Sequence, residues 1–259
     1  MIVTTSYDPS EELVRQAREL AAELQVRAVP RRRMTIRRMQ ERYRVSDVLV
    51  VTETGLTSYR DRHPPLFFHP GSSYLRIKRM LATGESEPLI SIPDVRPGDT
   101  IIDCTAGLCS DAIALSYAAG DRGKVMAIEA DRIISLIARD GLARATTDLP
   151  EFDAAMRRIS VVCGHHLDVL RSLPDRSADL VYFDPMFRSP IEESSGISPL
   201  RNYAFMQEIS VESVAEAKRV ARRVVMMKER RGSAQFARLG FVQDDRHNAK
   251  IAFGVIQIT

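Results

Sequence analysis

From about residue 97 the sequence alternates short apolar runs with helical stretches, and this alternation constrains the fold more than any other feature. Parallel strands need a crossover connection, so strands separated by helices predict an α/β fold with a mostly parallel, Rossmann-like sheet. The C-terminal "FVQDDRHNAKIAFGVIQI" has no helix between its two strands, which predicts an antiparallel last strand. The predicted strands are 100–103, 124–129, 158–163, 178–183 and 222–228, and the predicted helices are 110–118, 132–144, 203–221 and 232–239.

The N-terminal third predicts a small α/β unit. "IVTTS" is typical of a short strand, and Asp8-Pro9-Ser10 precedes apolar residues at helical spacing with acids in the first turn, which is typical of a helix start. A strand at 26–30 and a basic helix at 35–44 follow. "DVLVVTETGLTSYR" predicts a hairpin that turns at Thr54-Gly55.

Proline and glycine are dense at 62–73, which predicts a linker between two domains. We therefore expect a small basic α/β domain at 1–68 and a larger α/β domain at 69–259.

The composition excludes several classes of protein. Hydrophobic residues make up 44% of the 259 and charged residues 27%, so the chain can bury a core. No basic leader precedes an apolar run, and no apolar stretch approaches the roughly 18 residues that cross a bilayer. The 3 cysteines are odd in number and lack paired spacing, which argues against a disulfide framework and is typical of a reducing compartment. We expect a soluble, cytoplasmic protein with no membrane partner.

A metal site is the alternative interpretation of the histidines. His165 and His166 could be joined by His63 and His69, but no spacing places two histidines on one helical face, as H-x-x-x-H would. We expect no metal.

"DTIIDCTAGLCSDAIAL" is typical of a strand, a turn and a helix that starts near Ser110 or Asp111. Ligands of open parallel sheets bind at the carboxyl ends of the strands. A dinucleotide needs G-x-G-x-x-G, whereas only Gly107 is present here and a preceding acid would repel pyrophosphate. S-adenosylmethionine carries an ammonium and a sulfonium but no phosphate. We therefore predict this cofactor at the turn that contains Asp103, Ala106 and Gly107.

Polar residues also end the next two strands. Glu129, 22 residues after Gly107, would accept hydrogen bonds from both ribose hydroxyls. The third strand ends near His165, His166 and Asp168, where the adenine would lie. Each acid alone could be a helix cap or a solvated charge, but acids in register at successive strand ends favour a cofactor site.

The fourth strand ends in "DLVYFDPMF", where a buried run stops at Asp184-Pro185. An exocyclic amine of a base is a poor nucleophile because its lone pair is delocalised into the ring. A carboxylate and a carbonyl that accept its N–H bonds would help to localise that pair. Proline fixes the backbone, and Phe187 could stack on a base. We predict Asp184, Pro185 and Phe187 as catalytic residues, with an ordinary Asp-Pro turn as the alternative.

A basic patch occupies residues 27–44, where eight arginines are opposed only by Glu41. The guanidinium fork suits phosphate, although a solvated helix face is the alternative. A smaller basic cluster follows near Arg79. The predicted RNA-binding residues are Arg31, Arg32, Arg33, Arg37, Arg38, Arg42, Arg76 and Lys78.

A resemblance to a known family runs from about residue 98 to 231. It is carried by "DCTAGLCSDAIAL", "AIEADR", "DGLARA", "YFDPMF" and "RVVMMKERR", which resemble the small-subunit ribosomal RNA guanine-N2 methyltransferases of the RsmJ family. The resemblance implies a class I S-adenosylmethionine-dependent methyltransferase, with its catalytic domain at 69–259 and ribosomal RNA or the small ribosomal subunit as partner. The cofactor contacts that it implies are Ser110, Asp111, Glu129, Ala130, His165, His166 and Asp184.

The chain departs from this family in three places. The third strand ends in a His-His pair instead of small polar residues, the linker "FFHPGSSYLRIKR" does not match closely, and the loop 188–202 has its own sequence. The chain is thus similar to a divergent branch. The alternatives are a methyltransferase that acts on DNA, protein or a small molecule, and a nucleic-acid-binding module with a degenerate cofactor site. Intact Asp103, Gly107, Glu129 and Asp184 argue against degeneration.

Overall fold

The computed structural model describes residues 1–61, 63–185, 208–245 and 249–259, and within them a seven-stranded sheet forms the larger half of the molecule. The strand order is β11-β12-β10-β9-β6-β7-β8, and all neighbours from β10 to β8 are parallel. β12 runs antiparallel to both of its neighbours, as the sequence predicts. The strands are β6 (Thr100–Asp103), β7 (Lys124–Glu129), β8 (Ile159–Cys163), β9 (Ala178–Phe183), β10 (Ala221–Arg230), β11 (Val242–Gln243) and β12 (Ile251–Gln257).

Helices cover both faces of this sheet because each strand is apolar on both faces. Successive side chains of a strand point to opposite faces, and β9 shows the consequence: Leu180 and Tyr182 belong to one core cluster, whereas Val181 and Phe183 belong to the other. The helices that follow the strands are α5 (Ser110–Ala119), α6 (Arg132–Arg144), α7 (Pro150–Arg157), α8 (His166–Ser172), α9 (Val211–Val220) and α10 (Ala234–Leu239).

The sequence predicted this sheet well and its shorter helices less well. All five predicted parallel strands are present with boundaries shifted by one residue at most, apart from β10, where the chain stays extended to Arg230, two residues beyond the predicted end. The helix predicted at 203–221 is observed as Val211–Val220. Residues 203–207 of the predicted range lie outside the described residues. The prediction missed α7 and α8, of eight and seven residues, since one or two turns carry little periodic signal.

The N-terminal unit has its own sheet, in the order β2-β1-β3-β4-β5. β1 lies parallel to β2 and β3, and β3 pairs with β4 in the predicted hairpin, which closes at the Thr52–Gly55 pair. Ser10 and Thr35 cap the two helices by accepting backbone N–H bonds. The elements are β1 (Ile2–Thr5), α1 (Glu11–Glu23), β2 (Arg27–Ala28), α2 (Ile36–Tyr43), β3 (Asp47–Thr52), β4 (Gly55–Arg60) and β5 (Leu66–Phe67).

Residues 63–73 of the segment predicted as a linker, 62–73, include regular secondary structure despite the proline and glycine content. Leu66 and Phe67 form β5 and pair with Ser58 and Thr57 of β4. Helix α3 (Gly71–Thr83) then begins inside the segment, and the short α4 (Pro88–Ser91) follows it. The predicted linker therefore contains regular structure, because long-range strand pairing uses Leu66 and Phe67.

Helix α6 joins the two sheets. Its residues Ile134 and Ile137 share an apolar cluster with Val3 and Leu49 of the small sheet. Asp140 Oδ2 accepts a hydrogen bond from the Leu56 backbone N–H at 3.2 Å. The "DGLARA" segment, 140–145, thus lies where the N-terminal unit packs against the larger sheet.

Gly141 lets α6 pack against the N-terminal unit. A Cβ at this position would lie 2.0 Å from Cγ and 2.3 Å from Cβ of Phe68. A helical glycine is normally about 1 kcal/mol less favourable than alanine, so this close approach explains why a glycine is present inside α6.

We expect Gly141→Ala to lower the free energy of unfolding by about 1–3 kcal/mol, because overpacking outweighs the gain in helix propensity. Urea denaturation measures the change. In the Phe68→Ala background the same substitution should cost less, since the clashing ring is gone. A Gly141→Ala variant that is more stable than the wild type would contradict this account of the interface.

Candidate active site

The turn after β6 brings backbone and carboxylate groups together at the carboxyl end of the sheet. Asp103 ends the strand, is buried, and accepts a hydrogen bond from the Thr105 N–H at 3.1 Å. Burial raises the pKa of Asp103 well above its ordinary value, and the nearby Asp111 and Asp184 carboxylates raise it further. Gly107 has φ 53°, in the left-handed region that favours glycine, so the turn can fold tightly before α5. Ala106 is buried within the same turn.

Glu129 joins this turn to the end of β7. Its Oε2 accepts a hydrogen bond from the Gly107 N–H at 2.9 Å, and its Oε1 accepts one from the Asp131 N–H at 2.7 Å. Burial raises the pKa of the Glu129 carboxyl. Ala130 follows it and is exposed. The sequence prediction that Asp103, Gly107 and Glu129 lie together at adjacent strand ends therefore agrees with the structure.

The three predicted residues after β8 lie at the N-cap and in the first turn of α8. His165 caps α8, its Nδ1 accepting the Leu167 N–H at 3.3 Å. His166 is buried, with Nε2 3.0 Å from Ser213 Oγ and its ring edge-on to Phe183. Burial, and then the charge of His165, lower the pKa of His166 to about 4, so it is neutral at physiological pH.

Asp168 is an exposed residue of α8, and its carboxylate lies 3.7 Å from the Arg171 guanidinium. The side chains of His166 and Asp168 are thus engaged in core packing and in a surface ion pair. These positions do not support the prediction that both side chains contact the adenine.

Asp184 lies just beyond the end of β9, next to β6 in the sheet. Its backbone N–H donates to Thr105 Oγ1 at 2.6 Å, which ties the two strand ends together. Its Oδ2 is 2.7 Å from the Nζ of Lys228, a residue of β10. Burial raises the pKa of Asp184 to about 6, and the charge of Asp111 also raises it, while Lys228 opposes both effects. Pro185 follows, and Phe187 lies outside the described residues.

Asp111 is held by three donors. Lys228 Nζ lies 3.0 Å from its Oδ2, the Tyr182 hydroxyl donates to Oδ2 at 2.7 Å, and Arg76 contacts Oδ1 at 2.6 Å. Burial would raise the pKa of Asp111, but the charges of Lys228 and Arg76 bring it below its ordinary value. The role of Asp111 in the structure is therefore to anchor Lys228, Tyr182 and Arg76 around the strand ends.

Arg76 corrects the prediction of the RNA-binding set. Its guanidinium is divided between Asp111 and Glu87, at 2.6 Å from each carboxylate, and it is largely buried. An arginine held in this way is not available to a phosphate, so Arg76 belongs to the active-site framework. Ser110 is likewise engaged, since its hydroxyl lies 2.9 Å from that of Ser72 in α3.

The other predicted arginines divide into two groups. Arg31 is tied to the protein: its Nε donates to the Met34 carbonyl at 2.9 Å, and its guanidinium lies over the Tyr7 ring at 4.6 Å. α2 buries Met39 and presents its arginines to solvent, as the sequence predicts. The exposed basic residues of the predicted set are Arg32, Arg33, Arg37, Arg38, Arg42 and Lys78.

Sequence reasoning missed Lys228, which contacts both Asp111 and Asp184. The signal that could have found it is a single lysine within the apolar strand "VVMMKER", since a charge in a buried strand needs a partner. Thr105 was missed as well, because no sequence pattern indicates that its hydroxyl accepts the backbone N–H of Asp184.

Comparison with known proteins identifies the family. The sequence matches the family described as "Putative SAM-dependent methyltransferase" over residues 31–209. The chain belongs to this methyltransferase family. The methyltransferase is 40% identical over 256 residues to the "Uncharacterized protein YpiP" of Bacillus subtilis (strain 168), with 99% of each chain covered.

Two further relatives of this methyltransferase are informative. It is 30% identical over 159 residues to the ribosomal RNA small subunit methyltransferase J of Actinobacillus pleuropneumoniae serotype 5b (strain L20), covering 58% of this chain and 61% of that one. The crystal structure of the SAM-dependent methyltransferase NGO1261 from Neisseria gonorrhoeae superposes with a TM-score of 0.63 at 16% identity, covering 99% of this chain and 96% of the other. The structural likeness shows the class I methyltransferase fold.

S-adenosylmethionine is the cofactor of this methyltransferase, and the strand ends suit it. Buried carboxylates at Asp103 and Glu129 favour a cationic ligand, and they would oppose a phosphate. When bound, the cofactor supplies an activated methyl group. Among the described residues, no group of three or more His, Cys, Asp or Glu side chains could hold a metal ion. No helix within the described ranges is long and apolar enough to cross a membrane.

We expect Glu129→Gln to weaken cofactor binding by about 1.5–3 kcal/mol, the range for hydrogen bonds to charged groups, or roughly 10- to 150-fold in Kd. Isothermal calorimetry with S-adenosylmethionine measures the change. Glu151→Gln, at an exposed acid of α7, is the matched control and should bind as the wild type does. An unchanged Kd in folded Glu129→Gln would remove Glu129 from the cofactor contacts.

Proposed function

We propose that this methyltransferase transfers a methyl group to the exocyclic N2 amine of a guanine in small-subunit ribosomal RNA. The observation that carries the proposal is the placement of Asp184 at the end of β9, where Thr105 and Lys228 hold it beside Asp103 and the cofactor turn. The 30% identity to a ribosomal RNA small subunit methyltransferase J supports the choice of substrate.

The chain's own groups account for activation of the amine. In the proposed mechanism the Asp184 carboxylate and the Pro185 backbone accept the two N–H bonds, which turns the nitrogen lone pair toward the methyl group. The proline ring fixes the φ angle of residue 185, so the acceptors have less freedom to move before the base arrives. Phe187 would stack on the base, as the sequence predicts.

In the proposed reaction Asp184 accepts the proton that the amine loses. The bound cofactor would supply the methyl carbon to the amine nitrogen, and the electron pair of the carbon–sulfur bond would stay on its sulfur. The nitrogen then loses one proton. A carboxylate with a pKa raised to about 6 can take this proton and release it to solvent near neutral pH.

We further propose that residues 1–68 form a basic RNA-binding domain and residues 69–259 the catalytic domain. The exposed arginines of 31–44 would contact phosphates, and the shared core around α6 would hold them at a constant distance from Asp184. A ribosomal RNA substrate also implies that the protein acts in the cytoplasm.

Asp184→Asn keeps the shape of the side chain but removes the charge and can present a donor to the amine. We expect single-turnover methyl transfer to fall by about a hundredfold or more at saturating cofactor and RNA, by analogy with loss of one oxyanion-hole donor. The assay is transfer from labelled cofactor to 16S ribosomal RNA and to small subunits, followed by nucleoside mass spectrometry for N2-methylguanosine.

The matched control is Asp175→Asn, at an exposed aspartate that pairs with Arg219 on the surface, and it should react at the wild-type rate. Cofactor binding by Asp184→Asn is measured separately. Full activity of Asp184→Asn would make Asp184 a turn residue only. Methylation of DNA, protein or a small molecule but not of RNA would replace the proposed substrate.

The arginine patch has its own test. If Arg32, Arg33, Arg38 and Arg42 bind phosphates, replacing all four with Gln should make RNA binding less dependent on salt. The slope of log K against log salt concentration should become less negative by about 0.7 for each phosphate that is no longer neutralised. Cofactor affinity should stay unchanged. The matched control replaces four exposed basic residues away from the patch, Arg18, Arg122, Lys124 and Lys218. Equal slopes for wild type and patch variant would show that the patch is a solvated helix face.

A further inference from the structure

Lys228 reaches the strand ends from the neighbouring strand. Met227 of β10 pairs with Phe183 of β9, so the next residue along β10 lies beside the point where β9 ends. From there its Nζ contacts Oδ2 of Asp184 at 2.7 Å and Oδ2 of Asp111 at 3.0 Å. The ammonium therefore bridges two carboxylates that come from different elements.

The bridge is one end of a chain of alternating charges. Glu87, just before α4, holds Arg76 of α3, which holds Asp111 of α5, which in turn holds Lys228 and through it Asp184. Each of these ion pairs spans between 2.6 and 3.0 Å. A buried charge is tolerated when it is paired and hydrogen-bonded, and every charge within this chain has a partner of opposite sign. The arrangement thus fixes the position of Lys228 from both sides.

The surroundings of Asp184 would otherwise favour its neutral form. Within the part of the chain that the structure describes, the groups that face it are the carboxylates of Asp103 and Asp111, the phenol of Tyr182 and the ammonium of Lys228. Burial and the negative charges work against ionisation, and Arg76 acts mainly on Asp111. Among these groups Lys228 is the cation in direct contact with Asp184.

We propose that Lys228 is a positioning residue for methyl transfer, whose ammonium keeps Asp184 ionised at neutral pH and holds its Oδ2 so that the carboxylate can accept the N–H of the substrate amine. This inference rests on the proposed function. Lys228 stays protonated throughout the reaction and does not touch the reacting atoms. Lys228 therefore raises the fraction of enzyme molecules in which Asp184 is ionised and can accept the N–H of the amine.

The test is the pH profile of kcat/KM, which reports the ionisation of groups in the free enzyme. Wild-type activity should fall on the acidic side with a midpoint near pH 6. Lys228→Met keeps most of the length of the side chain without its charge, and should move this midpoint upward by about one pH unit or more. Because Asp184 still ionises at higher pH, the variant should recover to within a few-fold of wild type near pH 9. Lys228→Arg, which keeps the charge, should leave the midpoint close to that of the wild type.

Asp111→Asn shifts the profile in the opposite direction. It removes a negative neighbour of Asp184 and leaves Lys228 paired with Asp184 alone, so the acidic midpoint should move downward. This variant carries the test if Lys228→Met does not fold. An unchanged midpoint in Lys228→Met, or a loss by the same factor at every pH, would overturn the proposal and make Lys228 a structural residue.

Direct titration separates this inference from the proposed function. Carbon-13 spectra of aspartate-labelled free protein report the pKa of Asp184, assigned with Asp184→Asn. We expect the Asp184 pKa to rise by about one unit or more in Lys228→Met. An unchanged titration overturns the role of Lys228 even where RNA methylation is confirmed. Failure of the wild type to methylate RNA overturns the substrate instead, and leaves the titration as the test of Lys228.

Discussion

The ion pairs between Lys228 and the carboxylates of Asp111 and Asp184 are the interaction on which the geometry of the active site depends. A charge that leaves water is tolerated when it is paired with a charge of opposite sign and hydrogen-bonded. The chain that runs from Glu87 through Arg76, Asp111 and Lys228 to Asp184 satisfies this condition and links five separate segments at the carboxyl edge of the sheet. The strand ends are therefore organised by the protein itself, before cofactor or substrate binds.

A second constraint is the position of α6 between the two sheets. Its apolar residues complete the core of the N-terminal unit, and Gly141 lets Phe68 approach closer than any side chain would permit. Asp140 adds a hydrogen bond to the Leu56 backbone. These contacts fix the small basic unit relative to the catalytic sheet. The distance between the exposed arginines and Asp184 would thus be constant. This is consistent with the proposed RNA substrate, which would be bound by the arginines and methylated at Asp184.

Much of the fold could be predicted from the sequence because long buried strands have a strong local signal. β6, β7 and β9 appear within two residues of their predicted bounds, and Glu129 and Asp184 lie at strand ends as expected. The short α7 and α8 could not be predicted in this way, and β5 forms only because β4 offers it a partner. The arginines illustrate the same limit. The sequence cannot distinguish exposed Arg38 from ion-paired Arg76, because only their neighbours in space differ.

By itself the sequence determined the alternation of strands and helices, the acids that end successive strands, and the motif at 184–187. These features are local, since each depends on residues within a few positions of one another. The tertiary structure alone decided which charges meet. Lys228 reaches Asp184 across 44 positions and Asp111 across 117, because the strand order places β10 beside β9 and β9 beside β6. The energy of an ion pair depends on the distance between the two charges in space and not on their separation along the chain. The contact between Lys228 and the proposed catalytic carboxylate of Asp184 could therefore be identified only from the assembled sheet.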